Sequence, residues 1–447
     1  MTFLEVLGEL AFVSAVSFFL IFAVISLIEK ERRASLRSFF IAGLLAVVNI
    51  FFFIIPLPFR NWSFASVFAL CVGILLYVAL PPRPRHPLQI LGPSKKVDER
   101  DVIFARFDLV EKSPHYVEYY IQNPEYKSVD DEIRKLPDIL SPHHVQKHPV
   151  HFNLAASEFE FLEQQLQSVD GEVHPSQSAY SPKENTTNIK NMVHYLGADI
   201  CGVCELDQAF VYSHVGRGPE PYGSEIVQNH TYAVVFAIEM EQEMIDAAPQ
   251  SPVIIETAKK YVEAAKISII AAQQIRKMGY AARAHIAGSN CQAMLPPLGW
   301  KAGLGELGRF GMLITLKFGA RMRLGLLTTD LPLLPDHPIA CGIQDFCGIC
   351  KKCAENCPSQ AIPYNGKTEE NGVLKWVLNR ENCYRTWRRV GTDCAVCISV
   401  CPYSKTDNGL HRVIRHFTTW SKRAQSLSLL GDDFFYGRKP KRKPSPF

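Results

Sequence analysis

Eight of the thirteen cysteines lie between residues 347 and 401, in two runs: Cys347-x2-Cys350-x2-Cys353-x3-Cys357-Pro358 and Cys383-x10-Cys394-x2-Cys397-x3-Cys401-Pro402. Thiols two residues apart can wrap one corner of an iron-sulfur cube, with a fourth thiolate arriving from elsewhere in the chain. The bland alternatives are a structural zinc site or a disulfide framework, but zinc sites rarely repeat such gaps twice over. Two 4Fe-4S clusters are therefore expected. In two-cluster modules of this spacing the last cysteine of each run serves the other cluster. One cluster then takes Cys347, Cys350, Cys353 and Cys401, and the other takes Cys394, Cys397, Cys357 and Cys383.

A two-cluster ferredoxin-like module occupies only a small part of 447 residues, so the rest must form other domains. Uncharged apolar stretches run from Leu10 to Ile28, Ser38 to Phe59 and Asn61 to Pro82, apart from the single Arg60 between the last two. Each matches the roughly 20 helical residues that cross a bilayer's hydrocarbon core, so 1–82 reads as a three-helix membrane anchor. No Lys or Arg precedes Lys30, which argues against a cleavable signal or a twin-arginine leader. Lys30, Arg32, Arg33 and Arg37 follow the first stretch, and Arg83, Arg85, Lys95 and Lys96 follow the third. Positive charge stays inside, so the expectation is a multi-pass protein of the inner (plasma) membrane with its catalytic part on the cytoplasmic side. No histidine lies in the three stretches, which excludes a haem held by paired transmembrane histidines. Glu5 and Glu9 near the first stretch read as wetted interfacial carboxylates. Residues 83–100, rich in proline and basic residues, read as a stiff linker, and 411–447 as an extension ending in a basic tail, Arg438 to Lys443. A net charge of +4 gives no case for nucleic acid.

Between residues 186 and 340 helical and strand patterns alternate. Asn188 to Leu196 and Glu256 to Met278 read as helices, Ile200 to Val203 and Tyr232 to Ile238 as strands, and Leu313 to Leu327 as containing a strand pair. The fold class is α/β (α+β), helices covering a sheet. Gly303-Leu304-Gly305-Glu306-Leu307-Gly308 matches the dinucleotide fingerprint, yet the preceding MLPPLGWKA carries two prolines and cannot be the strand that motif requires. Close packing against a flat ligand is the better reading of those glycines. Cys201 and Cys204 sit in a buried strand and read as small apolar residues rather than a redox pair.

The order AGLGELGR (302–309), GxRxRLG (319–325), TTDLPL (328–333) and FCxxCxxCxxxCP (346–358) resembles the corrinoid-dependent reductive dehalogenases over roughly residues 185 to 405. The resemblance implies a nitroreductase-like corrinoid-binding domain, 101–340, holding a base-off cobalamin, and a two-cluster ferredoxin-like domain, 341–410, feeding electrons to the cobalt. No Asp-x-His-x-x-Gly signature occurs, in keeping with a family that lacks a protein histidine below the metal. It further implies Tyr261 as proton donor after Co(I) attack and loss of halide, Arg323 beside it, and Asn290 orienting the pair. A phenol is a weak acid unless its anion is stabilised, which is the role that falls to Arg323. His285, Gly303, Gly305, Gly308 and Arg309 are the implied cofactor-binding residues. Without the family, Tyr261 would read as an aromatic on the core face of its helix.

Partners then follow as a halogenated organic substrate, the membrane, and an electron donor that is a quinol, a ferredoxin or a flavodoxin. A homo-oligomer is compatible with all of this. The respiratory relatives are exported and held by a separate small three-span protein, whereas here the anchor is fused and the enzyme faces inward. Two rivals compete with this reading. Epoxyqueuosine reductases share the corrinoid and clusters but use an Asp donor, and ARAHIAGSN (282–290) has no acidic residue. A non-enzymatic membrane-bound electron-transfer subunit would need neither corrinoid nor Tyr261.

Overall fold

A computed structural model describes residues 3–54, 56, 59–79, 88–144, 148–440 and 443–444. The chain divides into two compact units, 1–85 with 406–439, and 86–405 with 440–447.

In the first unit α1 (Phe3–Ile28), α2 (Arg32–Ile54) and α3 (Phe59–Ala79) pack on one another. Two of them, over Glu5–Ile28 and Arg32–Phe52, are long and apolar enough to cross a membrane, while the apolar part of α3, Trp62–Val78, is shorter. The rings of Phe12, Phe52 and Phe64 meet edge-on at 5.5 to 6.3 Å and knit the three helices together. The side-chain amide of Asn49 donates to Glu9 Oε1 at 3.1 Å, so Glu9 is engaged between α1 and α2 rather than simply wetted. Residues 406–439, of which 411 onward was expected as an extension, belong to this same unit and form two helices, Gly409–Thr418 and Lys422–Phe435. Lys441 and Arg442 of the predicted basic tail lie outside the described residues, as do 80–82 of the predicted anchor and 83–87 of the predicted linker.

The second unit is built on a four-stranded sheet: β1 (Ile200–Glu205), β2 (Tyr232–Glu239), β3 (Ala282–His285) and β4 (Met322–Thr329), in the order β1-β2-β4-β3. Every pairing is antiparallel, which places the fold on the α+β side of the expectation. Alternation explains how one strand serves two cores. Val234, Phe236 and Ile238 of β2 face one, and Ala233, Val235 and Ala237 face the other. The first core is covered by α4 (Pro182–Tyr195) and by α5 (Pro252–Lys277), which buries Ala264, Ile267, Ala271 and Ile275. The second is covered by α6 (Leu295–Lys301). The proline-containing segment before the Gly303 loop is thus a helix, and the dinucleotide reading fails on topology. Ser181 opens α4 with a capping box closed by Glu184, and a proline at the start of α5 spares an orphan N–H.

The predicted linker needs correction from residue 88 onward. Gln89–Ile90 pairs with Val373–Leu374, Ser94 Oγ donates to Asn371 O at 2.8 Å, and Glu99 is 2% exposed. Backbone donors paired into a sheet are not a spacer, so the second unit starts before residue 101.

Candidate functional site

The long helix α5 sets the site's geometry. Thr257 and Tyr261 are one turn apart and so share a face. Opposite them Arg323, in β4, donates from one Nη2 to Thr257 Oγ1 at 2.5 Å and to Asp393 Oδ2 at 2.9 Å. Its guanidinium carbon stands 5.2 Å from the centroid of the Tyr261 ring. Asp393 also accepts from Thr257 Oγ1 at 2.6 Å and is buried. Burial pushes its carboxyl upward, and the Arg323 guanidinium opposes that. Asp393 directly precedes Cys394, so the residue that holds Arg323 in place belongs to the iron-sulfur segment. No motif in the sequence singles it out.

Tyr261 lines a cavity of about 1470 Å³. Segments far apart in the chain build its walls, among them residues 92–104, 209–217, 287–297, 307–312 and 371–387. Tyr212, Ser213 and Arg217 are among its lining residues. Arg217 donates to Gly288 O at 3.2 Å and lies 3.4 Å from the buried Glu99 carboxylate. The helix Arg380–Val390 turns Arg380, Cys383, Tyr384 and Trp387 to the cavity, a spacing of three and four that defines one helical face. The same cavity therefore touches the phenol of Tyr261 and a cysteine of the second run. Gly92 and Gly311 line it with nothing within 4 Å of where a Cβ would stand. Main chain is thus open to a large flat ligand there, the cradle a corrinoid requires.

Of the cofactor-binding residues expected from the sequence, Gly308 lines this cavity and His285, Gly303, Gly305 and Arg309 do not. The amide of Gln292 donates to His285 Nδ1 at 3.3 Å, so Nε2 carries the proton toward Thr328 Oγ1 at 3.0 Å. Burial, reinforced by Arg283 and His230, drives the imidazole's pKa well down and keeps it neutral. Asn290 is likewise engaged away from Tyr261: Arg283 Nη2 donates to its Oδ1 at 3.1 Å, and its amide reaches Glu220 at 3.4 Å. It instead shapes the turn between Ile286 and Asn290 that brings Gly288 against the Tyr261 ring.

The AGLGELGR loop turns out to hold the helix that carries the first cysteines. A Cβ on Gly303 would stand 2.6 Å from His337 O, and one on Gly305 2.1 Å from Ile314 O, so protein backbone explains both glycines. Glu306 accepts from the Ile343 amide at 2.6 Å, at the start of helix Ile343–Cys350, where a carboxylate is favoured. Arg309 donates to Cys347 O at 3.0 Å and to Pro363 O at 2.8 Å, and lies over the Trp376 ring at 4.6 Å. This fixed fork of donors satisfies carbonyls that the cluster loop leaves unpaired.

Cys347, Cys350, Cys353 and Cys401 surround one small void of about 20 Å³. Burial pushes the Cys347 thiol up, with the nearby Cys353 and Cys401 adding to it. Cys383 is pushed up to about 12 by burial, with Cys357 and Cys394 as its charged neighbours, and Cys397 rises with Cys383 and Cys394 beside it. Cys357, Cys383, Cys394 and Cys397 thus lie near one another, with Cys353 also close to Cys397. Among the described residues no three His, Cys, Asp or Glu converge on a single-ion site. Burial disfavours the free thiolate, so a metal bound here takes the proton's place.

Known proteins align with this arrangement. Residues 346–405 match the 4Fe-4S dicluster domain. The chain is 32% identical over 282 residues to a tetrachloroethene reductive dehalogenase of Dehalobacter restrictus, covering 53% of this chain and 51% of that protein. It is 31% identical to the tetrachloroethene reductive dehalogenase of Sulfurospirillum multivorans, covering 58% of each. Among solved structures, the catabolic reductive dehalogenase NpRdhA in complex with 3-bromo-4-hydroxybenzoic acid superposes with a TM-score of 0.64 at 25% identity, over 81% of this chain and 50% of that one. The chain spans about half the length of the curated relatives it matches. In sequence and in fold this protein is related to the reductive dehalogenases, and it carries a 4Fe-4S dicluster domain at residues 346–405.

Proposed function

We propose that the protein is a membrane-anchored, corrinoid-dependent reductive dehalogenase that converts an aromatic or alkenyl organohalide, with two electrons and one proton, into the dehalogenated product and free halide. The observation that carries this reading is a single cavity touching both Tyr261 and Cys383. When bound there, a base-off cobalamin supplies the two-electron reduction that breaks the carbon–halogen bond, with electrons arriving through two 4Fe-4S clusters. Gly92 and Gly311 offer it open main chain. Tyr261 holds the proton at its Oη. Arg323 stabilises the phenolate left after transfer, and Asp393 with Thr257 keeps the guanidinium beside the ring. Trp376, Tyr384 and Trp387 cover the cavity with aromatic surface and exclude water from the exchange.

The relatives named for tetrachloroethene and the structure bound to a bromohydroxybenzoic acid favour an unsaturated organohalide substrate. We assign α1, α2 and α3 as three spans, with the soluble unit on the cytoplasmic side and a quinol, ferredoxin or flavodoxin as donor. Contacts within the first unit support the odd number of crossings. The end of α1 (Glu29), the start of α2 (Arg37) and the end of α3 (Tyr77, Val78) all meet the C-terminal helix pair, so they share one face, which also holds Lys30, Arg32 and Arg33.

The deciding experiment is metal analysis of anaerobically purified protein produced with corrinoid supplied. About one cobalt and eight iron per chain, the sum of two cubanes and one corrinoid, is the expected result. Iron without cobalt would overturn the dehalogenase reading in favour of an electron-transfer subunit. A second expected result concerns Asp393→Asn. A hydrogen bond to a charged group contributes about 1.5–3 kcal/mol, so loosening Arg323 should lower kcat on the order of tenfold at unchanged iron content. Steady-state kinetics beside iron analysis checks it.

A further inference from the structure

The two C-terminal helices are amphipathic in the inverted sense. In Lys422–Phe435 the stripe Leu427, Leu430 and Phe434, at spacings of three and four, is exposed by 46%, 66% and 47%, while Gln425 and Ser421 are buried. In Gly409–Thr418 and the turn after it Val413 and Trp420 are exposed, while His411, Arg415 and Thr418 are buried. A helix on a water-facing surface does the opposite, presenting polar residues outward and burying its apolar stripe. The buried polar groups have partners inside the unit: His411 Nε2 lies 3.1 Å from Glu29 Oε2, and Arg415 lies 2.8 Å from Asp407 Oδ1. The outward apolar residues therefore face a solvent that is not water.

The helices' position says which solvent. Ser421 Oγ donates to Val78 O at 2.5 Å, Arg423 donates to Tyr77 O at 2.9 Å with its guanidinium 4.0 Å from the Tyr77 ring, and Arg37 stands 4.4 Å over the Phe434 ring. Phe435 meets Phe22 at 4.7 Å. The pair thus lies across the ends of the apolar helices, at the level where hydrocarbon gives way to headgroups, and continues their apolar outer surface. Lys422, Arg423 and Arg412 supply cations there, complementary to anionic headgroups.

We infer that the C-terminal helix pair is an interfacial membrane element, seated at the headgroup boundary of the bilayer with Leu427, Leu430 and Phe434 in contact with acyl chains. This rests on the membrane reading of α1 and α2. Occupancy by a second copy or by another protein is the competing outcome.

The test uses the full chain, with its clusters, in vesicles of phosphatidylcholine and phosphatidylglycerol. Benzoylphenylalanine replaces, one at a time, Leu430, Leu44 on α2 as the span control, and Tyr195 of the soluble unit as the water control; these are 66%, 54% and 88% exposed. After irradiation, mass spectrometry should find lipid adducts at Leu430 and Leu44 and none at Tyr195. Lipid adducts at Leu44 alone would overturn the inference while leaving the anchor intact. Protein adducts at Leu430 would overturn it in favour of a protein-covered face. Absence of lipid at both Leu44 and Leu430 would remove the membrane reading together with the inference.

Discussion

Tyr261→Phe should lower dehalogenation by about 10²–10⁴-fold, the range a positioned general acid contributes, while iron and cobalt content stay at the wild-type level. The substitution removes one oxygen from a half-buried ring and leaves its packing on α5 and against Gly288 in place. The loss is therefore chemical rather than structural. The Arg323 arrangement sharpens the expectation. Arg323 is held by Thr257 from the same helix as the phenol and by Asp393 from the iron-sulfur segment, and its charge lies close to the ring whose anion forms on proton transfer. In Tyr261→Phe that charge has no phenolate to stabilise, so adding Arg323→Leu should cost much less in the double variant than it does alone. Such non-additivity is what a donor and its stabiliser acting as a unit produce. Equal, additive losses in a double-mutant cycle would separate Arg323 from the proton transfer. Unchanged turnover in Tyr261→Phe would remove the phenol from the mechanism.

How much of this could be read in advance depended on whether the information was local. The cysteine spacings are local, and of the thiols they mark Cys347, Cys350, Cys353 and Cys401 line one void. Several elements of the second unit are local too: periodicity marks α5, β1 and β2 within four residues of their observed ends, while α4 starts six residues before the stretch it marks. What periodicity cannot carry is partnership. The antiparallel order β1-β2-β4-β3 depends on which strands meet, and Asp393 becomes visible only when the iron-sulfur segment is folded beside α5. The AGLGELGR loop was seen as a unit, but its role depends on what faces it. Glu306 and Arg309 grip the cysteine-bearing helix, and the backbones of His337 and Ile314 explain two of its glycines. The C-terminal helices went unread for a different reason. Their apolar stripe points outward, so a rule that sends apolar residues to a protein core assigns them the wrong face.

Cys383→Ala should abolish turnover with every reductant, whereas Cys350→Ala should lose turnover with the native donor and regain it with a small, strongly reducing chemical donor. The difference follows from position. Cys383 lines the cavity that holds Tyr261, and Cys350 lines the separate void around Cys347, Cys353 and Cys401. On the proposed function the cluster on Cys357, Cys383, Cys394 and Cys397 would be the last electron carrier before the substrate, and no external reductant reaching the far cluster could stand in for it. The far cluster serves as a relay, which a small reductant able to reach the near cluster can bypass. Each variant should keep about four of eight irons, one cubane of two. Cys357→Ala decides the ligand crossing. It stands in the first run, four and seven residues from Cys353 and Cys350, yet it is among the groups that raise the Cys383 thiol. It should therefore behave like Cys383→Ala, beyond rescue by the chemical donor. If instead it is rescued like Cys350→Ala, each run binds its own cluster, and electrons enter the cavity by a different route from the one the thiol sets define.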